Sequence, residues 1–164
     1  LEHYGWKWWK HQQPDLAQVK LEVIDIVHFM LSEELTSGKT HSDIAAEIDH
    51  AFTQPRATDD IKTSIELLAM ETLQNKRAPF EIIAGLMQQL DMKFDELYER
   101  YVGKNVLNIF RQNNGYKTGE YKKLWAGRED NEYLEDILGE LDVSSVTYRE
   151  DVYSSLSSRY SSVQ

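Results

Sequence analysis

The chain has 164 residues, 41% of them hydrophobic and 28% charged, and a formal net charge of −10. That length carries one domain, or one domain with an appended module, and is enough to bury a hydrophobic core. With no Cys in the chain, disulfides, thiolate catalysis and Cys-ligated zinc are excluded; the acidic balance argues against general nucleic-acid binding, and no apolar run reaches the roughly 20 residues of a membrane span.

Pro14-Asp15 opens a run to Leu35 in which Leu16, Val19, Val23, Ile26, Val27 and Met30 recur at the helical period. Thr36-Ser37-Gly38 ends it. A second helix is expected from Ser42 to Thr53 with Ser42 as N-cap. A third starts near Thr58-Asp59-Asp60, acids that suit a helix N-terminus, and runs to about Asn75. A fourth follows Pro79, so that the three prolines, at 14, 55 and 79, each fall where a helix can begin. A fifth covers Phe94 to about Gln112, with Leu97, Tyr101, Leu107 and Phe110 on its apolar stripe, and Asn113-Asn114-Gly115 stops it. From Gly115 to Gly127 no clean period survives, which predicts a loop with short helical turns. Glu129 to Leu141 reads as a further helix. The Ser-rich stretch 142–164 reads as a weakly structured tail. No internal repeat or alternating strand pattern is visible. The fold class is all-α, a helical bundle, with one domain over residues 1–141 and the tail beyond it.

Four groups of residues carry chemical interest. Glu22 and Asp25 are three apart and share a helix face. Two readings are open: a polar stripe or carboxylate–lysine pairing, or half of a site for a hard cation such as Mg²⁺, whose oxygen ligands carboxylates supply. One turn on, His28-Phe29 reads either as core plus a polar contact or as a pair flanking a ligand ring. Trp6-Lys7-Trp8-Trp9-Lys10 reads as a hydrophobic lid or as a stacking and cation–π platform. The five His are scattered, and no pair sits at zinc-ligand spacing.

The fourth group is a basic segment, Lys104 to Arg128. It holds six Lys/Arg and one acid, a local charge of +5, leaving −15 for the rest of the chain. Positive charge kept in one place points to a bound anion. Lys104, Asn108 and Arg111 share one helix face. Tyr116, Lys117, Lys122, Lys123 and Arg128 follow in a Gly-bearing stretch able to close over a polyphosphate. The spacing is not that of a P-loop.

These blocks, LEHYGWKWWK, QVKLEVIDIVHFMLS and KNVLNIFRQNNGYKTGEYKKLWAGREDNEYL, resemble the dimeric all-α dUTPases. That family sits within the wider all-α NTP pyrophosphatase group, which includes MazG-like proteins. The resemblance implies a bundle with a mobile C-terminal helical part. It implies Mg²⁺-dependent hydrolysis of dUTP, or dUDP, by a cytoplasmic homodimer that binds neither nucleic acid nor membrane. By the same resemblance, Glu22 and Asp25 match the second metal-binding acidic pair. Trp6, His28 and Phe29 match the surroundings of the base. Lys104, Asn108, Arg111, Tyr116, Lys117, Lys123 and Asn131 match the block that grips phosphates and sugar, with Arg111, Lys117 and Lys123 among the catalytic groups. Glu129 and Asp130 belong to the same motif. The family's first acidic pair, ExxE, lies upstream of the WKWWK region. Here only Glu2 precedes Trp6, so an N-terminal segment is expected to be missing and the chain to be incomplete for activity. The alternatives are an all-α pyrophosphatase acting on another nucleotide such as dCTP, or a helical interaction module that has lost the chemistry.

Overall fold

A computed structural model describes residues 13–162, and the chain divides into two compact units, Leu1–Lys93 and Phe94–Gln164. The described residues form seven α-helices, a 3₁₀ turn and two strands of two residues each. The architecture is all-α, as the periodicity predicts, and no described helix is long and apolar enough to cross a membrane.

The first unit contains α1 (Leu16–Thr36), α2 (His41–Thr53), α3 (Ile61–Asn75) and α4 (Phe80–Gln89). Its centre is α4, which packs against each of the other three. The reason is in its sequence: no polar residue interrupts Ile82 to Met87, and Phe80, Ile82, Ile83, Leu86 and Met87 are all buried. A helical segment apolar on all sides has to be surrounded. Gly85 makes one of those approaches possible. A Cβ there would stand 2.3 Å from the Arg56 carbonyl oxygen, and the Arg56 N–H donates to the Glu81 carbonyl at 2.7 Å on the same side. Helix α1 turns Val19, Val23, Ile24, Val27 and Met30 inward.

Local signals set the helix ends, with two departures from expectation. Helix α2 begins one residue earlier than predicted, and its N-cap is Thr40, not Ser42. Thr40 Oγ1 accepts from the Asp43 N–H at 3.2 Å while the Asp43 carboxylate accepts from the Thr40 N–H at 3.3 Å. This reciprocal pairing outcompetes a lone serine cap. Pro55 opens no helix: α3 starts at Ile61, capped by the Asp60 carboxylate, which accepts from Lys62 and Thr63.

The second unit contains α5 (Phe94–Asn113), a 3₁₀ turn (Tyr116–Thr118), β1 (Leu124–Trp125), β2 (Arg128–Glu129), α6 (Asp130–Leu138) and α7 (Tyr148–Ser162). The predicted loop at 115–127 is therefore more ordered than its composition suggests. Antiparallel pairing of Trp125 with Arg128 closes a two-residue hairpin. Ala126 and Gly127 both take positive φ, at 48° and 87°, the backbone of a type I′ turn.

The C-terminal segment corrects the expectation most clearly. The described part of that stretch, residues 142–162, is not a weakly structured tail. Tyr148 to Ser162 form α7, which packs on α5 and α6. Tyr148, Val152, Leu156 and Tyr160 recur every four residues and are buried, in one cluster with Phe110, Trp125, Leu134 and Ile137. Six serines dilute the stripe (154, 155, 157, 158, 161 and 162), so the composition hides the period. Tertiary packing supplies the stability that serine's propensity does not.

Leu156 is fully buried. Leu156→Ala is expected to cost about 2–5 kcal/mol, read from urea unfolding. A cost under ~0.5 kcal/mol, the level of a surface change, would return the segment to a loose tail.

Candidate functional site

In the first unit, α1 carries four of the sequence-predicted residues. Val23, Ile24 and Val27 take the buried side. Glu22 and Phe29 therefore fall on the opposite side, both exposed, with Asp25 and His28 half-buried at its edge. Glu22 and Phe29 lie seven residues apart, two turns of helix, so they stand nearly in line. Asp25 lies between them. The His28 Nδ1 lies 3.0 Å from the Ile24 carbonyl oxygen; a carbonyl can only accept, so Nδ1 carries the proton of this bond. Phe29 is 75% exposed, an arrangement that a core role does not explain.

The donors suit a hard cation: two carboxylate groups on one face of a rigid helix, neither buried in the core. Among the described residues no third carboxylate or imidazole joins them in a metal-sized cluster. Trp6 lies outside the described residues.

In the second unit, the basic segment folds so that its parts meet. Asn108 and Arg111 touch on α5, the Arg111 Nη1 donating to Asn108 Oδ1 at 3.3 Å; Lys104 lies one turn earlier, half-buried. Gly115 and Gly119 bracket the 3₁₀ turn, which presents Tyr116 and Lys117 outward. The hairpin brings Lys123 back, with its Nζ 5.5 Å from the Tyr116 ring centroid, a cation–π contact. Lys122 is exposed beside it. Asn131 is half-buried in the first turn of α6. Arg128 is engaged elsewhere: it stacks over Tyr133 and pairs with Asp136 at 3.0 Å.

The feature that sequence reasoning left without a role is Asp130. It is 1% exposed, yet it is a carboxylate. Its Oδ1 accepts from the Arg111 Nη2 at 2.7 Å, and its Oδ2 accepts from the Arg111 Nε at 2.8 Å and from the Tyr121 hydroxyl at 2.8 Å. It also sits at the start of α6, where a helix favours negative charge. Burial pulls the Arg111 pKa down, but the bonds and charge of Asp130 outweigh it and the net shift is upward. Burial first, then the Asp130 carboxylate, push the Tyr121 hydroxyl well above the usual phenol range. Both groups hold their protons across the physiological range. The signal in the sequence was Arg-x₉-Tyr-x₈-Asp (111, 121, 130) within one basic block, but nothing in that spacing tells a buried partner from a surface one.

A groove of about 760 Å³ in the first unit, lined by Lys39, Glu47, His50, Arg56, Arg77 and Phe80 among others, holds none of the predicted residues. Its cations are already taken: Lys39 by Glu34 and Glu47, Arg56 by Glu71, and Arg77 by Glu81. It presents a compensated surface and is not assigned a ligand.

Two substitutions separate the two units' residues. Arg111→Ala strands a buried carboxylate and is expected to cost about 3–5 kcal/mol, while Phe29→Ala is expected to stay within about 0.5 kcal/mol of the parent. Urea unfolding of both variants checks this. A Phe29→Ala cost comparable with that of Arg111→Ala would make Phe29 a packing residue.

Compared with known proteins, residues 1–116 match the family model for dUTPase. A search of curated proteins finds no significant match. The matched stretch takes in the whole first unit and α5 through Tyr116, and so includes Glu22, Asp25, His28, Phe29, Lys104, Asn108 and Arg111. With an all-α architecture and a match over most of its length, the chain belongs to the all-α dUTPase family.

Proposed function

We propose that the protein hydrolyses dUTP to dUMP and pyrophosphate with Mg²⁺. The observation that carries this reading is Arg111, a guanidinium locked beside Asn108 on α5 and lying inside the matched region. A cation held still before the substrate arrives costs no reorganisation when charge develops, the condition under which electrostatic stabilisation is strongest.

The residues of the two units take their roles separately. In the first, Glu22 and Asp25 are the residues that would hold Mg²⁺. When bound, the ion supplies charge neutralisation and a more acidic water. A carboxylate of this group takes the proton from the attacking water. Phe29 offers its exposed face to a ring, with His28 beside it. In the second unit, Arg111, Lys104 and Lys123 neutralise charge that grows on the departing pyrophosphate, and Lys117 adds to that field. Asn108, Tyr116 and Asn131 offer hydrogen bonds to phosphate and sugar oxygens. Little covalent chemistry falls to the protein, because positioning and charge dominate phosphoryl transfer. The homodimer, the cytoplasmic setting and dUDP as a second substrate belong to the same proposal.

The test is pyrophosphate release from dUTP, dCTP, dTTP and UTP with Mg²⁺, for the full-length parent and Glu22→Gln. The expected result is turnover of dUTP in the parent, and loss of at least about two orders of magnitude in the variant, with unchanged helix content by circular dichroism; removing an electrostatic group acting at the transition state costs this much. Near-parental turnover by Glu22→Gln would remove the carboxylate from the mechanism. Turnover of dCTP in place of dUTP would keep the mechanism and change the substrate. Silence toward every nucleotide would favour an interaction module.

A further inference from the structure

Arg111 has five N–H donors in a planar fork. Asp130 takes the side edge, Nε–H and one Nη2–H, and Asn108 takes one Nη1–H. Among the described residues, that leaves one N–H on each terminal nitrogen. The ion pair is bidentate, so it fixes the guanidinium plane as well as its position. The Arg111 side chain is 11% exposed, and the two N–H groups not taken by Asp130 or Asn108 belong to the terminal nitrogens, a pair suited to two phosphate oxygens.

Asp130 is held in turn from behind. The Tyr121 hydroxyl shares Oδ2 with the Arg111 Nε. The Tyr121 ring stacks on Tyr160 of α7, with centroids 5.4 Å apart and planes at 30°. Phe110 sets its edge against both rings. The chain of contacts runs from the C-terminal helix through Tyr160, Tyr121 and Asp130 to Arg111, and every member except Arg111 is buried. Tyr121 supplies a third hydrogen bond that the buried carboxylate needs, and the direction of that bond limits how the carboxylate can turn. Tyr121 gives Asp130 a single orientation, and Asp130 gives one to Arg111.

We propose that Asp130, oriented by Tyr121 and backed by Tyr160, is the positioning residue that aims the two remaining N–H groups of the Arg111 guanidinium at a pyrophosphate or nucleotide polyphosphate. The proposal rests on the phosphate-gripping role given to Arg111 above. It assigns that role's precision to residues 121, 130 and 160, all outside the matched stretch 1–116.

The test uses the full-length protein and two readouts. The first is NMR of the Arg111 Nε–Hε group during titration with pyrophosphate alone. In the parent, slow rotation about the guanidinium bonds and a pyrophosphate-dependent shift are expected. In Asp130→Asn, or in the milder Tyr121→Phe if Asp130→Asn does not fold, rotation is expected to speed up and the shift to shrink, with circular dichroism unchanged. The second readout is steady-state kinetics on dUTP. Tyr121→Phe is expected to lower kcat on the order of tenfold with little change in KM, and Asp130→Asn on the order of a hundredfold, the scale of a small misplacement of a catalytic group. In an Arg111→Lys background, Tyr121→Phe is expected to have no further effect, because both changes act through one group. Additive losses in that background, or a freely rotating Arg111 in the parent, would overturn the proposal. If the parent turns over no nucleotide, the functional reading fails, and the pyrophosphate titration still decides the positioning role: a parental shift that survives in both variants would overturn it.

Discussion

The second unit is organised around one buried carboxylate. Asp130 is 1% exposed and bonded to Tyr121, a member of the buried cluster that includes Phe110, Trp125 and Tyr160, and an unpaired charge at that depth would cost several kcal/mol. It is tolerated because Arg111 and Tyr121 together supply three hydrogen bonds and a full positive charge. That requirement ties α5, the hairpin and the start of α6 into one arrangement. Its burial excludes water, which strengthens each of the bonds. The same pairing that makes the charge tolerable leaves one N–H on each terminal nitrogen of Arg111 not taken by Asp130 or Asn108.

The first unit is built on a different constraint. Helix α4 has no polar face from Ile82 to Met87, so α1, α2 and α3 must enclose it. Once α1 commits Val23, Ile24 and Val27 to that enclosure, the helical period leaves Glu22, Asp25 and Phe29 no place but the outer side. Their display is a by-product of core packing. This carboxylate pair is less buried than Asp130, with Glu22 exposed and Asp25 half-buried, and so carries less desolvation cost.

The two units also differ in how openly their sequences state their structure. The α1 stripe could be read directly: Glu22 and Asp25 three apart, in a helix whose apolar positions recur at three and four. The same is true of Lys104, Asn108 and Arg111 on α5. Caps were harder. The sequence points to Ser42 as the cap, and the reciprocal bond between Thr40 and Asp43 places it at Thr40 instead. Between Gly115 and Gly127 the local signal is weak because the segment is held by contacts from outside it. The Tyr133 hydroxyl donates to the Trp125 carbonyl, and the Lys123 carbonyl accepts from the Asp130 N–H.

The sequence by itself determined the all-α class, the positions of most helices, the acidic pair on α1 and the basic face of α5. These follow from short-range periodicity, which a helix expresses whatever surrounds it. Tertiary structure alone decided the helix within residues 142–162 and the burial of Asp130. The serines of α7 have no strong preference for a helix, and only burial of Tyr148, Val152, Leu156 and Tyr160 against α5 and α6 makes one. Asp130 and Arg111 are 19 residues apart, and whether a carboxylate at that distance is a solvated surface group or a buried clamp depends on which walls close around it.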